Sequence, residues 1–208
     1  MNRLELKKAA KSQIKGKIGI LFVIALIIGA ISSLASAVLA IIPCGALVSA
    51  IIITPAFTLS MIRVYLNVAR GNTPRVQDAF CGFDDFWAGF KVIFLTGFFT
   101  FLWSLLFIIP GIVKGYSYSM AAYILAENPG KPALECIKES KEMTNGHKMD
   151  LFVLSLSFIG WFLLVAITFG IAGIWVTPYQ YATFINAYNS LKPVKEESEA
   201  EMTDSEQV

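Results

Sequence analysis

The chain is 208 residues long, 56% hydrophobic and only 15% charged, with a formal net charge of +2 and a mean hydropathy of +0.64. A soluble domain of this size carries about a quarter charged residues, and the charges here are gathered into clusters between long uncharged blocks. That pattern excludes an ordinary water-soluble globule and predicts an all-α, polytopic transmembrane bundle.

The amino-terminal stretch is basic and carries Leu6, Ala10 and Ile14 between lysines, a spacing that fits a surface-lying helix. Ala35-Ser36-Ala37 resembles a signal-peptidase site. The apolar run before it, however, continues far beyond the ~7–15 residues of a signal-peptide core, so an uncleaved first helix is expected. From Ile18 to Ile62 no charged residue or histidine occurs. As one helix those residues would reach ~68 Å, about twice the hydrocarbon thickness. Two spans are predicted, near 18–42 and 46–68, turning at Pro43-Cys44-Gly45.

Next, Val76, Phe80, Phe83, Trp87 and Phe90 recur at spacings of four and three, which predicts one aromatic face of an interfacial helix. Thr73-Pro74 would start it, with threonine as cap and proline in the first turn. The uncharged stretch that follows is interrupted by Lys114 alone. Split at Pro110-Gly111 it gives two short spans, 92–109 and 111–126, the second of them spanning or re-entrant. A helix over 131–145, ending at Asn145-Gly146, alternates Glu135 and Glu139 with Lys138 and Lys141 on a solvated face. Spans near 151–168 and 173–191 complete six, turning around Thr168 to Gly173. An acidic tail, 192–208, is too poor in apolar residues to fold.

Charge placement supports six spans independently. With both termini cytoplasmic, sixteen of the seventeen Lys and Arg residues fall on the inner side and only Lys114 does not. Were 92–126 a single span, the basic segment 127–150 would face outward, against the positive-inside rule. The outer turns are then only a few residues each, too short for an external domain. Thr54-Pro55, Ile62 and Tyr65 are echoed at the same offsets by Thr177-Pro178, Ile185 and Tyr188.

The run Phe107-Ile108-Ile109-Pro110-Gly111-Ile112-Val113-Lys114-Gly115-Tyr116-Ser117-Tyr118-Ser119-Met120 resembles the central motif of a bacterial membrane family, domain of unknown function 975. Glu5-Leu6-Lys7, Glu127-Asn128-Pro129, Ser140-Lys141 and Pro178-Tyr179 fit the same family in the same order. The resemblance covers about 2–191. It implies a multi-pass protein of the bacterial cytoplasmic membrane, mainly in Gram-positive organisms, without an assigned activity. The layout is distantly similar to the membrane domain of some glycerophosphodiester phosphodiesterases, but no catalytic barrel fits within this length.

Few residues invite chemistry. Lys114 is the one ionisable group inside a predicted span, and such groups are functional candidates because their charge is costly to bury. Trp103 offers it an aromatic face, and Tyr116 and Tyr118 offer hydroxyls. Lys114 also lies close enough to the Pro110-Gly111 turn to extend its amine to the interface. Asp84 and Asp85 are adjacent, so on a helix they point about 100° apart and do not converge on one proton or ion. Glu127, Glu135, Glu139, Glu142 and Asp150 read as headgroup-zone charges. Cys44, Cys81 and Cys136 lack metal or disulfide spacing, and His147 stands alone.

No catalytic residue, metal or cofactor is therefore expected. The expected function is a non-enzymatic one, with membrane lipids, other membrane proteins or a second copy as partners, and no nucleic acid. The alternative is a small transporter or an export or immunity factor that handles an amphiphilic or anionic ligand near Lys114.

Overall fold

A computed structural model describes residues 3–39, 45–168 and 170–192. The predicted turn at Pro43-Cys44 and nearly all of the acidic tail lie outside the described residues. Within them the chain is all-helical: α1 (Arg3–Ile14), α2 (Ile18–Leu39), α3 (Gly45–Ala69), α4 (Phe86–Leu106), α5 (Ile108–Tyr118), α6 (Ala121–Glu127), α7 (Ala133–Met143), α8 (Lys148–Leu156), α9 (Ile159–Ile167) and α10 (Gly173–Leu191). Three stretches are long and apolar enough to cross a membrane: Ile18–Val38, Phe86–Leu105, and Lys148–Ile167 across the α8–α9 junction. Little of any of the three is buried within the protein, which points to a membrane protein.

The protein core gathers at one end, where the charged segments meet. Leu21, Ile24 and Ile28 are buried in the first half of α2, whereas no residue from Gly29 to Val38 is. Leu59, Ile62, Tyr65 and Leu66 of α3 meet Ile124 and Leu125 of α6 and Ile185 and Tyr188 of α10 in the same cluster. Helix α3 is the hub, packing against α2, α4, α6 and α10. Toward the other end the helices present apolar side chains outward, among them Phe101, Leu105, Ile109 and Leu163.

The amino-terminal segment forms the expected helix, α1: its apolar positions Leu6, Ala10 and Ile14 are buried, Lys8 and Lys11 are exposed, and it packs on α10. The Gln13 and Asn186 side-chain amides exchange two hydrogen bonds of 3.1 Å, and Asn186 also donates to the Leu6 carbonyl at 3.3 Å. Gly71 adopts φ +88° just beyond α3, and the Lys17 amine donates to the Gly71 and Asn72 carbonyls there. A lysine near a helix carboxyl end complements the dipole there.

The expected continuous helix through Val76, Phe80, Phe83, Trp87 and Phe90 is not formed. Val76–Phe80 is a short 3₁₀ segment, turns follow, and α4 begins only at Phe86. Gly82 is the cause. Its amide donates to the Ser60 hydroxyl at 2.9 Å, and a β-carbon there would collide with the Ala56 carbonyl and Ser60 of α3. Close docking on α3 therefore outweighs the helical spacing of the aromatic residues. Phe83 stacks edge-on to Phe57, centroids 5.3 Å apart, and both Phe83 and Trp87 stay exposed.

The break between α4 and α5 also sits elsewhere than predicted. It falls at Phe107, in extended geometry (φ −155°, ψ 138°), and Pro110 lies within the first turn of α5. Proline is well tolerated in a helix's first turn, because amides there lack intrahelical partners in any case. Helices α4 and α5 then return on each other, the most extensive helix pair among the described residues. Gly111 makes that approach possible: a β-carbon at Gly111 would lie 2.7 Å from the Ser104 Cα.

Candidate functional site

The structure brings two of the predicted site residues together. The Lys114 amine lies over the Trp103 ring, 4.6 Å from its centroid. Both face the apolar end of the α4–α5 hairpin, beside exposed Leu105, Ile109 and Val113. No carboxylate among the described residues pairs with Lys114. The two tyrosines are directed elsewhere: Tyr116 packs edge-on to Phe152 of α8 at 5.8 Å, and Tyr118 is buried 6.2 Å from Phe99 of α4. A cation over an indole in an apolar surround is held in place while keeping its charge available to an anion.

The quoted motif around Ser117 proves to have a structural duty. The chain turns at Ser119-Met120 between α5 and α6, freeing backbone groups in a buried region. The Ser140 hydroxyl donates to the Ser117 carbonyl at 2.9 Å and accepts from the Met120 amide at 3.2 Å. The Thr144 hydroxyl adds a bond to the same carbonyl at 3.3 Å. Side chains of α7 thus complete the hydrogen bonding that a broken helix would otherwise leave unmade, at a cost of about 1–3 kcal/mol per group.

Three ion pairs carry more than topology. Arg63 of α3 bonds Asp85 at 2.5 Å and donates to the Cys81 carbonyl at 2.6 Å, fixing the 81–85 turn. Asp84 beside it is exposed, so the adjacent aspartates do not form a joint site. Glu127, at the end of α6, joins three helices. Its carboxylate bonds Arg70, just past α3, at 2.5 Å and Lys192, just past α10, at 2.5 Å. The Tyr188 hydroxyl donates to it at 2.6 Å. Burial alone would raise the Glu127 carboxyl, but the Lys192 and Tyr188 hydrogen bonds and the Lys192 and Arg70 charges together hold it below the usual carboxylate range. The sequence alone marks Glu127 as one of the headgroup-zone charges; the structure adds these three partners to it.

The same geometry bears on the echoed helices. Tyr65 and Tyr188 are both almost fully buried, and Glu127 binds the basic residue that follows each of the two helices. The only sequence signal of this was the matched spacing after Pro55 and Pro178.

Two cysteines among the described residues, Cys81 and Cys136, are free thiols. Burial pushes the Cys136 thiol up to about 11, and burial also raises Cys81 despite neighbouring Arg63. Thiols shifted in that direction are poor nucleophiles near neutrality. Among the described residues, no group of three His, Cys, Asp or Glu side chains is placed to hold a metal ion.

A family model described as "Protein of unknown function (DUF975)" matches residues 1–117 and 106–195. No curated protein and no solved structure matches, and the distant similarity to phosphodiesterase membrane domains is not shown.

Proposed function

The chain belongs to that family of unknown function, and from this premise we propose a non-enzymatic, six-span protein of the bacterial cytoplasmic membrane that binds lipids or partner membrane proteins. Helices α3, α5–α6 and α10 serve as the returning spans between the three stretches most suited to cross a bilayer. At 1.5 Å per residue, the 25-residue α3 and 19-residue α10 reach ~38 and ~29 Å, near the hydrocarbon thickness. The hydrogen bonds from Ser140 and Thr144 make the break in the fourth span tolerable. Both termini and the segments 70–85 and 127–148 lie on the cytoplasmic side, in keeping with the positive-inside rule.

One consequence concerns Lys141, which is exposed on α7. A Lys141→Cys variant, with its other cysteines replaced by alanine or serine, is expected to react with a membrane-impermeant maleimide only after cells are opened. Labelling in intact cells at the same rate would reverse the orientation.

The observation that carries the lipid reading is Lys114, held over Trp103 at the apolar, outer end of the bundle. Such a cation suits the phosphate of an outer-leaflet lipid. Lys114→Gln is expected to release about one bound anionic phospholipid in native mass spectrometry, since a charge-assisted hydrogen bond of ~1.5–3 kcal/mol corresponds to tenfold or more in affinity. A folded variant with unchanged lipid retention removes this role. Substrate-dependent flux in proteoliposomes would favour the transporter reading instead.

A further inference from the structure

A cavity of about 500 Å³ lies between the start of α4 and the turn leading into α7. On one wall Trp87, Lys91 and Leu95 follow each other at four-residue spacing along α4. On the other stand Gly130, Lys131 and Leu134. Its charge is one-sided. Lys131 is paired with Glu139, whereas Lys91 is exposed and no carboxylate among the described residues pairs with it. The α7 amino terminus adds to this: the amides of Ala133 and Leu134 precede Glu135, the first to bond back within the turn. Its walls are otherwise apolar, and Trp87 and Leu134 are 69% and 62% exposed.

The geometry points to a binding site for one anionic phospholipid of the inner leaflet, a reading that rests on the membrane placement proposed above. The phosphate sits at Lys91, and an acyl chain leaves past Leu95 along a helix apolar enough to cross the bilayer. Tryptophan at the mouth suits headgroup depth. A soluble anion would use Lys91 but gain nothing from Trp87, Leu95 and Leu134. A zwitterionic lipid would bring its own cation near Lys91, which has no carboxylate partner among the described residues. The site is separate from Lys114, because Lys91 and Trp103 lie twelve residues apart on α4, ~18 Å along its axis.

The test is native mass spectrometry of the detergent-solubilised full chain, titrated with phosphatidylglycerol or phosphatidylcholine. Wild type is expected to prefer phosphatidylglycerol, and Lys91→Gln to weaken that binding about tenfold, the scale of one charge-assisted hydrogen bond. Lys91→Arg should retain it. Leu134→Asp should lose it while keeping the fold, since a carboxylate in a helix's first turn favours the helix. Lys114→Gln should leave this lipid bound. Equal binding of the two lipids by wild type, or unchanged binding in Lys91→Gln and Leu134→Asp, overturns the site. So does displacement of phosphatidylglycerol by equimolar inorganic phosphate, which would show that a bare anion suffices. Loss of lipid preference in a protein that still requires detergent refutes this site alone. A protein monodisperse in plain buffer refutes the membrane placement with it.

Discussion

Glu127→Gln is expected to lower the thermal midpoint of the detergent-solubilised protein by on the order of 5–10 °C. The substitution keeps the shape of the side chain but removes the charge and turns one acceptor into a donor. Arg70 and Lys192 then face each other without a counter-charge, and the Tyr188 hydroxyl competes for a single oxygen. Breaking a fully buried pair by removing one partner costs about 3–5 kcal/mol. Arg70 is about half exposed, so water screens part of the loss and about 2–4 kcal/mol remains. At ~2–4 °C per kcal/mol for a chain of this size, the stated shift follows. Glu142→Gln is the control: Glu142 is exposed on α7 and should change stability by less than about 0.5 kcal/mol.

The same carboxylate gives a pH signature. Its folded-state pKa lies below the ordinary value of 4.5, so the folded protein holds this proton less readily than the unfolded chain does. The stabilisation is therefore complete above pH 4.5 and is lost as pH falls through the lower, folded value. Wild type should lose this increment on acidification below pH 4.5. Glu127→Gln should show a correspondingly flatter acid limb in the same melting assay. Parallel acid limbs in the two proteins would mean that the three-helix junction contributes little.

Gly111→Val is expected to be the most disruptive single change in the hairpin of α4 and α5. Even a β-carbon at this position meets the backbone of Ser104, so a branched side chain requires the helices to separate. Overpacking of this kind costs typically 1–3 kcal/mol, and more when the obstacle is backbone. Separation also moves Lys114 away from Trp103, because the two stand on opposite arms of that hairpin. The measurement is twofold: thermal midpoint, and the accessibility of Trp103 to an aqueous fluorescence quencher in a variant with the other tryptophans replaced by phenylalanine. Both should change together. An unaltered midpoint would show that the close approach at Gly111 is not needed. Gly97→Val serves as comparison, since a β-carbon at Gly97 meets no other atom within 4 Å.

What was legible in the sequence divides along physical lines. The start of α2 and the end of α10 follow from abrupt transitions between charge clusters and uncharged runs, a signal that needs no tertiary information. The Lys114–Trp103 pairing was legible as well, because a charge inside an apolar hairpin has few local partners to choose from. The break at Phe107 was not. Pro110-Gly111 was read as the point of reversal, yet proline suits a helix's first turn, and the glycine is there for packing across the hairpin. The aromatic stripe from Val76 to Phe90 misled for a related reason: a period near 3.6 records only local preference, and Gly82 is drawn out of any helix by contact with α3. Glu127 was least visible. Its partners Arg70 and Tyr188 lie 57 and 61 residues away, and no spacing rule reaches that far.

The exchange of amides between Gln13 and Asn186 sets an order of assembly. The two residues are separated by 173 positions, and a ribosome working at ~5–20 residues per second needs roughly ten to thirty seconds to pass from one to the other. Throughout that interval α1 exists without the surface that later covers Leu6, Ala10 and Ile14. The first element made is among the last to find its place, and the newborn chain remains unlatched until its final helix has been made.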